Sequence, residues 1–308
     1  MTPYISVIMP CYNKEDSLNM TLESIINQTI FSKLEIIAID DKSKDNTLKE
    51  LRKYANRYKN IKVYANKENK GVFATRLKGI KYANGEYIGF IDPDDKVDFE
   101  WFEELYKVAK RTKTDIIRTP SIYNWDGNDE IRENKNMFKN MEDDLILISP
   151  ETIDKITRNN WMTLWNRLFK KDILKPLINL PRYRINFLED MLICWCALMN
   201  AETVLNIRTK SHLYYNTSDD IEHLSKLNTT DRGQPTASIF NIIDSYIIQT
   251  KKTEFIVPVK RWRKFYIEHY AKEYEKLFSM TEGFTIYDPA YINNIIKTYQ
   301  TLVNIAID

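Results

Sequence analysis

Residues 1–120 alternate between short apolar runs and stretches in which apolar side chains recur every three or four positions. The runs predict buried strands, and the recurrent spacing predicts amphipathic helices. The predicted strands are Ile5–Met9, Leu34–Asp40, Ile61–Asn66, Glu86–Asp92 and Asp115–Thr119. Strands that alternate with helices in this way predict an α/β fold with a mostly parallel sheet.

Four helices are predicted between and after these strands. Their apolar positions span Leu18–Ile26, Leu48–Tyr58, Phe73–Ile80 and Phe102–Ala109. Ser43 and Asp45 are both candidate caps for the second helix, because short polar side chains accept hydrogen bonds from the first helical turn. The third helix is expected to end near Asn84-Gly85, since glycine suits a C-terminal stop.

The pattern changes after residue 120. The segment Asn124–Asn140 is polar and has a turn signal at Asp126-Gly127, which predicts a hairpin or a loop. A second mixed block ends near Asn216, and a polar stretch and then a helical, aromatic pattern follow it. We therefore expect one domain at residues 1–216, with halves at 1–110 and 111–216, and a mostly helical extension at 217–308.

The composition of the 308 residues, with 43% apolar residues and a net charge of +2, is that of a globular protein without a nucleic-acid-binding signature. No window reaches the ~20 apolar residues of a membrane-spanning helix, and the first residues do not resemble a signal peptide. Cys11, Cys194 and Cys196 are too few for a disulfide framework and are expected to be buried thiols. These features predict a cytoplasmic protein.

Glycine usage excludes two kinds of nucleotide site. The chain has seven glycines and contains neither G-x-G-x-x-G nor G-x-x-x-x-G-K-[ST]. A dinucleotide-binding fingerprint and a P-loop are therefore both absent. The remaining candidates for chemistry are polar clusters at the ends of the predicted strands.

Three predicted strands end in polar clusters that would meet at one edge of a parallel sheet, where α/β proteins bind ligands. The clusters are Pro10-Cys11-Tyr12-Asn13, Asp40-Asp41 and Asp92-Pro93-Asp94-Asp95. The third cluster holds three carboxylates within four residues, and these repel one another unless a cation is present. Such oxygen ligands suit Mg²⁺ or Mn²⁺ bound together with substrate phosphates. Asp94 and Asp95 also fit a cap of the next helix or turn.

Other polar residues admit two interpretations each. Asp40 and Asp41 suit contacts with a base N–H or a ribose, but Asp is also common in turns between strands and helices. Tyr12 fits stacking on a base or an ordinary loop position. Arg76, which follows Gly71 on the third helix, fits a diphosphate or aspartate partner or a solvated helix face.

Several ordered motifs together resemble a known family. The segments SVIMPCYNKEDSL, SIINQT, LEIIAIDDKSKDNT, NKGVFATRLKGI and GEYIGFIDPDD resemble the nucleotide-binding half of family 2 inverting glycosyltransferases. The similarity is strong over residues 4–110 and weaker to about residue 216. It implies the GT-A fold, a Rossmann-like and mostly parallel sheet flanked by helices, with residues 1–110 binding the nucleotide and residues 111–216 the acceptor.

The resemblance implies a set of nucleotide-sugar-binding residues: Pro10, Tyr12, Asn13, Asp40, Asp41, Gly71, Arg76, Asp92 and Asp94. Within this set, Pro10, Tyr12 and Asp41 hold the base, with the uracil N–H on Asp41 in preference to Asp40, and Asp94 contacts the ribose or the donor sugar. Asp95, together with Asp94, is implied to hold Mn²⁺ or Mg²⁺ on the diphosphate. His212 is a further candidate metal ligand, and a structural histidine fits this position equally well.

Glu189-Asp190 resembles the E-D motif of the family, in which the Asp is the general base. Asn186 and Glu189 also have the spacing of a capping box, which would make Glu189 structural and leave Asp190 in the first helical turn. Two positions depart from the family pattern. Lys42 stands where the family frequently has the Gly of a D-G-S motif, and this change is expected to alter the turn. Leu77 stands where the family has the Asn of G-x-x-x-x-R-N-x-G, a position implied to contact the donor sugar.

The resemblance implies a metal-assisted single displacement. A sugar would pass from a UDP-sugar to a hydroxyl of a growing, lipid-linked or free bacterial surface glycan of the capsule, lipooligosaccharide or glycoprotein type. A retaining reaction would need a second carboxylate on the other face of the sugar, and the chain offers no dedicated candidate. Two other functions remain open, a nucleotidyltransferase acting on sugar phosphates and a non-catalytic sugar-nucleotide-binding module.

The segment Val259–Phe278 mixes basic and aromatic residues at helical spacing. This pattern fits peripheral contact with anionic lipid at the inner face of the plasma membrane. It equally fits a helix that packs on the first domain or forms a homodimer.

Overall fold

A computed structural model of the chain describes residues 2–124, 132–133, 144–158, 163–182, 185, 189–209, 213–216 and 229–264. The chain forms two compact units. The first comprises Met1–Ile148 and Trp161–Ile243, and the second comprises Ser149–Asn160 and Asp244–Asp308. The predicted boundaries at residues 110 and 216 stay predictions.

The strands of the described residues lie in the first unit. In chain order they are β1 (Ile5–Cys11), β2 (Leu34–Asp40), β3 (Ile61–Ala65), β4 (Tyr87–Phe90), β5 (Lys96–Val97), β6 (Ile116–Arg118), β7 (Ser121–Asn124), β8 (Arg132–Glu133), β9 (Asp144–Leu147), β10 (Arg167–Lys170), β11 (Thr203–Asn206) and β12 (Leu213–Asn216). Eight of these described strands form the main sheet in the order β3-β2-β1-β4-β10-β6-β11-β9, and a smaller sheet has the order β5-β12-β7-β8.

The main sheet is mostly parallel, as predicted. Strands β3, β2, β1 and β4 are parallel neighbours, β6 and β11 are parallel to each other, and β10 runs antiparallel between β4 and β6. Every residue of β1 and β2 is buried, because helices cover both faces of the sheet at this point.

The helices of the described residues are α1 (Leu18–Ile26), α2 (Thr47–Arg57), α3 (Val72–Tyr82), α4 (Trp101–Thr112), α5 (Ile153–Arg158), α6 (Lys171–Leu174), α7 (Glu189–Asn200), α8 (Thr229–Thr250) and α9 (residues 256–264). Apolar residues of α1, α2 and α4 share one core with alternate residues of β1, such as Val7 and Met9. Ile8 points to the opposite face, where α3 packs. The four helices predicted between and after the strands are therefore confirmed as α1 to α4.

Two glycines permit close packing of α3 and its following turn. A Cβ on Gly79 would lie 2.4 Å from Cγ2 of Ile8, and a Cβ on Gly85 would lie 2.4 Å from the backbone nitrogen of Ser6. The helix ends at Tyr82, close to the predicted stop, but the residue after Tyr82 is extended and not left-handed. Gly85 is thus required for its approach to β1 and does not serve as a helix cap.

Next to the segment Asn124–Asn140, predicted to be a hairpin or a loop, β7 pairs antiparallel with β8; most of that segment lies outside the described residues. The three cysteines are free and buried, as expected. The described residues from Thr229 onward are largely helical, and the extension at residues 217–308 stays a prediction. Residues 265–278 of the basic, aromatic segment lie outside the described residues. None of the described helices is long and apolar enough to cross a membrane.

Candidate active site

Strands β1, β2 and β4 present their carboxyl ends at one edge of the main sheet, which brings the three polar clusters together. Cys11 at the end of β1 pairs with Asp40 at the end of β2. The following loops are joined by hydrogen bonds: Lys44 N donates to Asn13 Oδ1 at 2.8 Å, and Asn13 N donates to Ser43 Oγ at 3.0 Å. Pro10 is buried in β1, and the adjacent Tyr12 is 41% exposed at this edge.

Asp41 is buried and accepts three N–H donors. Asn66 Nδ2 and Lys70 N donate to its Oδ1 at 2.6 and 2.9 Å, and Gly71 N donates to its Oδ2 at 2.8 Å. Gly71 has a φ of 83°, a left-handed conformation that favours glycine, and it immediately precedes α3. Asp41 therefore organises the turn into α3 through these three hydrogen bonds. The neighbouring Asp40 accepts a longer bond, of 3.3 Å, from Ser43 N.

Arg76 forms the centre of a buried acidic cluster. Its side chain is 4% exposed. Nη2 donates to Asp92 Oδ1 at 2.9 Å, and Nη1 donates to Glu189 Oε1 at 2.6 Å and also to Asp190 Oδ1. The sequence left a diphosphate or an aspartate as the partner of Arg76, and the structure places carboxylates against it. The Arg76 cluster (Arg76, Asp92, Glu189 and Asp190) joins α3, the end of β4 and the start of α7.

The Arg76 cluster has three carboxylates for one guanidinium. Burial alone would lower the pKa of Arg76, but the carboxylates of Asp190, Asp92 and Glu189 outweigh burial and raise that pKa. For Asp190, burial together with the neighbouring Glu189 and Asp92 carboxylates raises the pKa, although Arg76 opposes the shift. A carboxyl with a raised pKa in a partly open site is a candidate general base or acid.

Asp190 lies in the first turn of α7, where the helix dipole favours an anion. Its Oδ1 accepts from Arg76, and its Oδ2 accepts from Leu164 N at 3.3 Å. The side chain remains 21% exposed, so part of the carboxylate is open to solvent. Glu189 is bonded to Arg76, and Asn186, the other half of the predicted capping box, lies outside the described residues.

The Asp92–Asp95 turn after β4 contains carboxylates of unequal exposure. Asp95 is fully buried, whereas Asp92 and Asp94 keep part of their surface open. Lys14 Nζ lies 2.6 Å from Asp94 Oδ2. Asp94 therefore already has a cation as a neighbour, and the oxygen donors of this turn fit a hard divalent ion.

Several predicted residues differ from their expected surroundings. Leu77 is fully buried in the core, so the replacement of the family's Asn by Leu at this position affects packing. Lys42 has a φ of 68°, which is the left-handed conformation that a glycine would adopt here. The expectation that Lys42 alters this turn relative to the family pattern stays a prediction. His212 lies outside the described residues.

Sequence reasoning missed two residues of this edge, Lys14 and Asn66. Asn66 directly follows β3 and bonds Asp41, and Lys14 directly follows Asn13 and contacts Asp94. Asn66 directly follows a strand, and Lys14 directly follows the polar cluster at the end of β1. These two positions were the available signals.

Comparison with known proteins gives a consistent family. The family model described as Glycosyl transferase family 2 matches residues 6–177. A poly(ribitol-phosphate) beta-glucosyltransferase of Bacillus spizizenii is 32% identical over 224 residues, which cover 72% of this chain and 33% of that protein. The poly(ribitol-phosphate) beta-N-acetylglucosaminyltransferase TarP of Staphylococcus aureus is 37% identical over 118 residues, covering 37% of this chain and 35% of TarP. The chain thus spans about a third of the length of these two relatives.

A similar fold is found among solved structures. S. aureus TarS 1–349, solved in complex with UDP-GlcNAc, superposes with a TM-score of 0.72 at 22% sequence identity. The superposition covers 99% of this chain and 81% of that chain. This likeness confirms the GT-A fold.

Proposed function

Because the chain belongs to glycosyl transferase family 2, we propose that it transfers a sugar from a UDP-sugar to a hydroxyl of a bacterial cell-surface polymer, with inversion at the anomeric carbon. The observation that carries this proposal is the Arg76 cluster, which holds a partly exposed Asp190 at the ligand-binding edge of the sheet. The names of two relatives favour a polyol-phosphate polymer of the teichoic acid type as the acceptor. Capsule, lipooligosaccharide and glycoprotein glycans are less favoured.

In the proposed reaction, Asp190 removes the proton from the acceptor hydroxyl. The acceptor oxygen then attacks the anomeric carbon while the bond from that carbon to the diphosphate oxygen breaks and UDP leaves. One displacement inverts the configuration. Arg76 is the positioning residue, because its bonds to Glu189 and Asp190 fix the base in orientation.

Asp41 and Tyr12 are proposed to bind the uracil base. Three N–H donors hold the Asp41 carboxylate in place, and its remaining acceptor capacity suits the N–H of uracil. Asp41 N donates to the carbonyl of Cys11 at 2.8 Å, and the next residue, Tyr12, offers an exposed ring for stacking. Pro10, Asn13, Asp40 and Gly71 are proposed to shape this pocket through the backbone of the two linked loops and the turn into α3. The solved complex of TarS with UDP-GlcNAc supports a UDP-sugar donor.

A divalent ion, Mn²⁺ or Mg²⁺, is proposed to bind at the Asp92–Asp95 turn. Asp94 is better placed for direct ligation than the fully buried Asp95, which would support the turn from behind. In the described part of the chain, no group of three or more His, Cys, Asp or Glu side chains could hold a metal ion. Substrate phosphates would therefore complete the coordination, and His212 stays a candidate ligand. When bound, the ion would neutralise the charge that develops on the leaving diphosphate.

Peripheral membrane contact and a homodimer are further proposals. On α9, exposed Ile256 and Val257 are followed on the same helical face by exposed Lys260, Arg261 and Lys264. This face suits anionic lipid at the cytoplasmic side of the membrane. Co-sedimentation with anionic and neutral vesicles tests this contact. Absence of binding to anionic vesicles would exclude the contact, and equal binding to both would exclude a preference for anionic lipid. A monomeric mass in analytical ultracentrifugation would exclude the dimer.

The first test of the proposed function is UDP release from a panel of UDP-sugars, with Mn²⁺ or Mg²⁺ and with EDTA as the control. The assay is run with and without a poly(ribitol phosphate) acceptor. We expect metal-dependent UDP release from one sugar that increases when the acceptor is present. Pyrophosphate as the product would identify a nucleotidyltransferase, and UDP binding without any turnover would favour a binding module.

A further inference from the structure

Lys14 connects the loop after β1 to the Asp92–Asp95 turn. Its Nζ lies 2.6 Å from Asp94 Oδ2, and the two side chains are 22% and 12% exposed. The backbone of Lys14 is held on both sides, since its N donates to Thr47 Oγ1 at 2.7 Å and its carbonyl accepts from Leu18 N at 3.0 Å. Ser17 Oγ donates to the carbonyl of Pro93 at 3.0 Å. The Lys14–Asp94 pair therefore belongs to a fixed joint between the two loops.

Arg76 is poorly placed to neutralise a donor diphosphate. Both terminal nitrogens of its guanidinium already donate to carboxylates, and the side chain is almost fully buried. Moving Arg76 to a phosphate would leave Glu189, Asp190 and Asp92 without their shared cation. Lys14 differs from Arg76 in exposure, because its side chain is 22% exposed, and it is long, flexible and ends in an ammonium with three N–H donors.

Resting on the proposed function, we propose that Lys14 is a counter-ion that changes partner during donor binding. In the donor-free site, its ammonium neutralises Asp94. A divalent ion that binds Asp94 displaces the ammonium, because two cations cannot share one carboxylate oxygen without strong repulsion. The displaced ammonium then pairs with the diphosphate of the donor.

Two consequences follow for the binding of metal and nucleotide. Without nucleotide, Lys14 competes with the metal for Asp94, so the metal binds weakly. With nucleotide, the ammonium gains a phosphate partner that replaces Asp94, so the competition no longer weakens metal binding. Metal and UDP should therefore bind with positive coupling, and part of that coupling should depend on Lys14.

The experiment measures Mn²⁺ binding by titration calorimetry and by the EPR signal of free Mn²⁺, with and without saturating UDP. It compares the wild-type chain with Lys14→Met and Lys14→Arg. Lys14→Met should bind Mn²⁺ alone roughly three- to tenfold more tightly, as expected for the loss of a partly buried ion pair. The factor by which UDP strengthens Mn²⁺ binding should be smaller in Lys14→Met by a similar ratio, and Lys14→Arg should retain most of the wild-type coupling.

Lys49→Met is the matched control, since Lys49 is an exposed lysine on α2 and its loss changes the net charge equally. It should leave both affinities within about twofold of wild type. Thermal melting checks that each variant is folded. If Lys14→Met leaves both the Mn²⁺ affinity and its coupling to UDP unchanged, the inference about Lys14 is wrong. If the wild-type chain binds neither Mn²⁺ nor UDP, the proposed function is wrong and the inference falls with it.

Discussion

A buried polar network lies at each end of the parallel part of the main sheet, and the two networks differ in charge balance. At the amino end, Glu35 is buried at the start of β2 and accepts from Ser6 Oγ at 2.6 Å and from Asn84 N at 2.8 Å. Lys62 forms an ion pair with the same carboxylate. Burial alone would raise the pKa of Glu35, but these hydrogen bonds outweigh it and lower the pKa. We call this group the Glu35 network.

The Arg76 cluster, at the carboxyl end, combines one guanidinium with three carboxylates. Its Asp190 has a raised pKa, which is the opposite direction from Glu35. A network in which one carboxylate has several donors stabilises the fold. A cluster with excess carboxylates costs stability and is suited to bind a proton or a cation. We therefore assign a structural role to the amino end and a chemical role to the carboxyl end.

The largest expected effect is the loss of turnover in Asp190→Asn. Removing a general base should lower kcat about 10³-fold, while UDP affinity stays near wild type because the nucleotide does not need this carboxylate. Glu35→Gln should keep turnover within about threefold. Initial rates of UDP release and calorimetric UDP titration measure both quantities. If Asp190→Asn kept kcat within about tenfold of wild type, Asp190 would have no place in the mechanism.

The pH profile gives a second test of the same residue. Because the pKa of Asp190 is raised, its basic form is lost as the pH falls through that raised value. The acid limb of kcat should therefore lie well above the pH range of an ordinary carboxyl. Rates measured between about pH 5 and about pH 9 locate it. An acid limb near the ordinary range, in a chain that stays folded, would contradict the raised pKa.

Next in size is the effect of Arg76→Met on stability. This change leaves three partly or fully buried carboxylates without their cation, and the unfolding free energy should fall by about 3–5 kcal/mol. The matched change at the other end is Lys62→Met. Lys62 is 43% exposed and pairs with a carboxylate that keeps other donors, so the loss should be below about 1 kcal/mol. Urea denaturation measures the unfolding free energy of both variants. Equal losses would contradict the difference between the Arg76 cluster and the Glu35 network.

Glu35→Gln and Asp190→Asn should change stability in opposite directions. The contribution of Glu35 is present above its unfolded pKa and is lost as the pH falls through its lowered folded pKa. At neutral pH, Glu35→Gln should therefore destabilise the fold by about 1–2 kcal/mol, and the difference should shrink in acid. Asp190, with a raised folded pKa, destabilises the fold as the pH rises above its unfolded value. Asp190→Asn should thus melt no lower than wild type at neutral pH, and a clear decrease would mean that its ion pair with Arg76 outweighs burial.

The smallest expected effect concerns backbone strain at the carboxyl end. Lys42 adopts a φ of 68°, so Lys42→Gly should stabilise the chain by up to about 1 kcal/mol. Lys44→Gly, two residues on, lacks this conformation and should be neutral or slightly destabilising. Thermal melts of the two variants measure the difference. Equal shifts would show that the turn is not strained.

Local pattern was sufficient for five strands and four helices of the first 120 residues, but it missed the two-residue strand β5. The predicted strand Leu34–Asp40 has the observed bounds, because a run of apolar residues in a fully covered parallel strand leaves a strong signal. The shared edge for Tyr12, Asp41 and Asp94 was also predictable, since the carboxyl ends of parallel strands meet. Glu35 was not recognised, because a single acid in an apolar strand gives no sign of the donors that surround it.

The amino-acid sequence by itself determined the alternating fold, the edge at which the polar clusters meet and the family of the chain. Only the tertiary structure decided the partners of the charged side chains. Arg76 and Asp190 are 114 positions apart, and Lys14 and Asp94 are 80 positions apart. Periodicity depends on near neighbours along the chain, whereas an ion pair depends on which loops the packed sheet brings within a few ångströms. Whether a buried carboxylate stabilises the fold or is available for chemistry therefore depends on its neighbours in space.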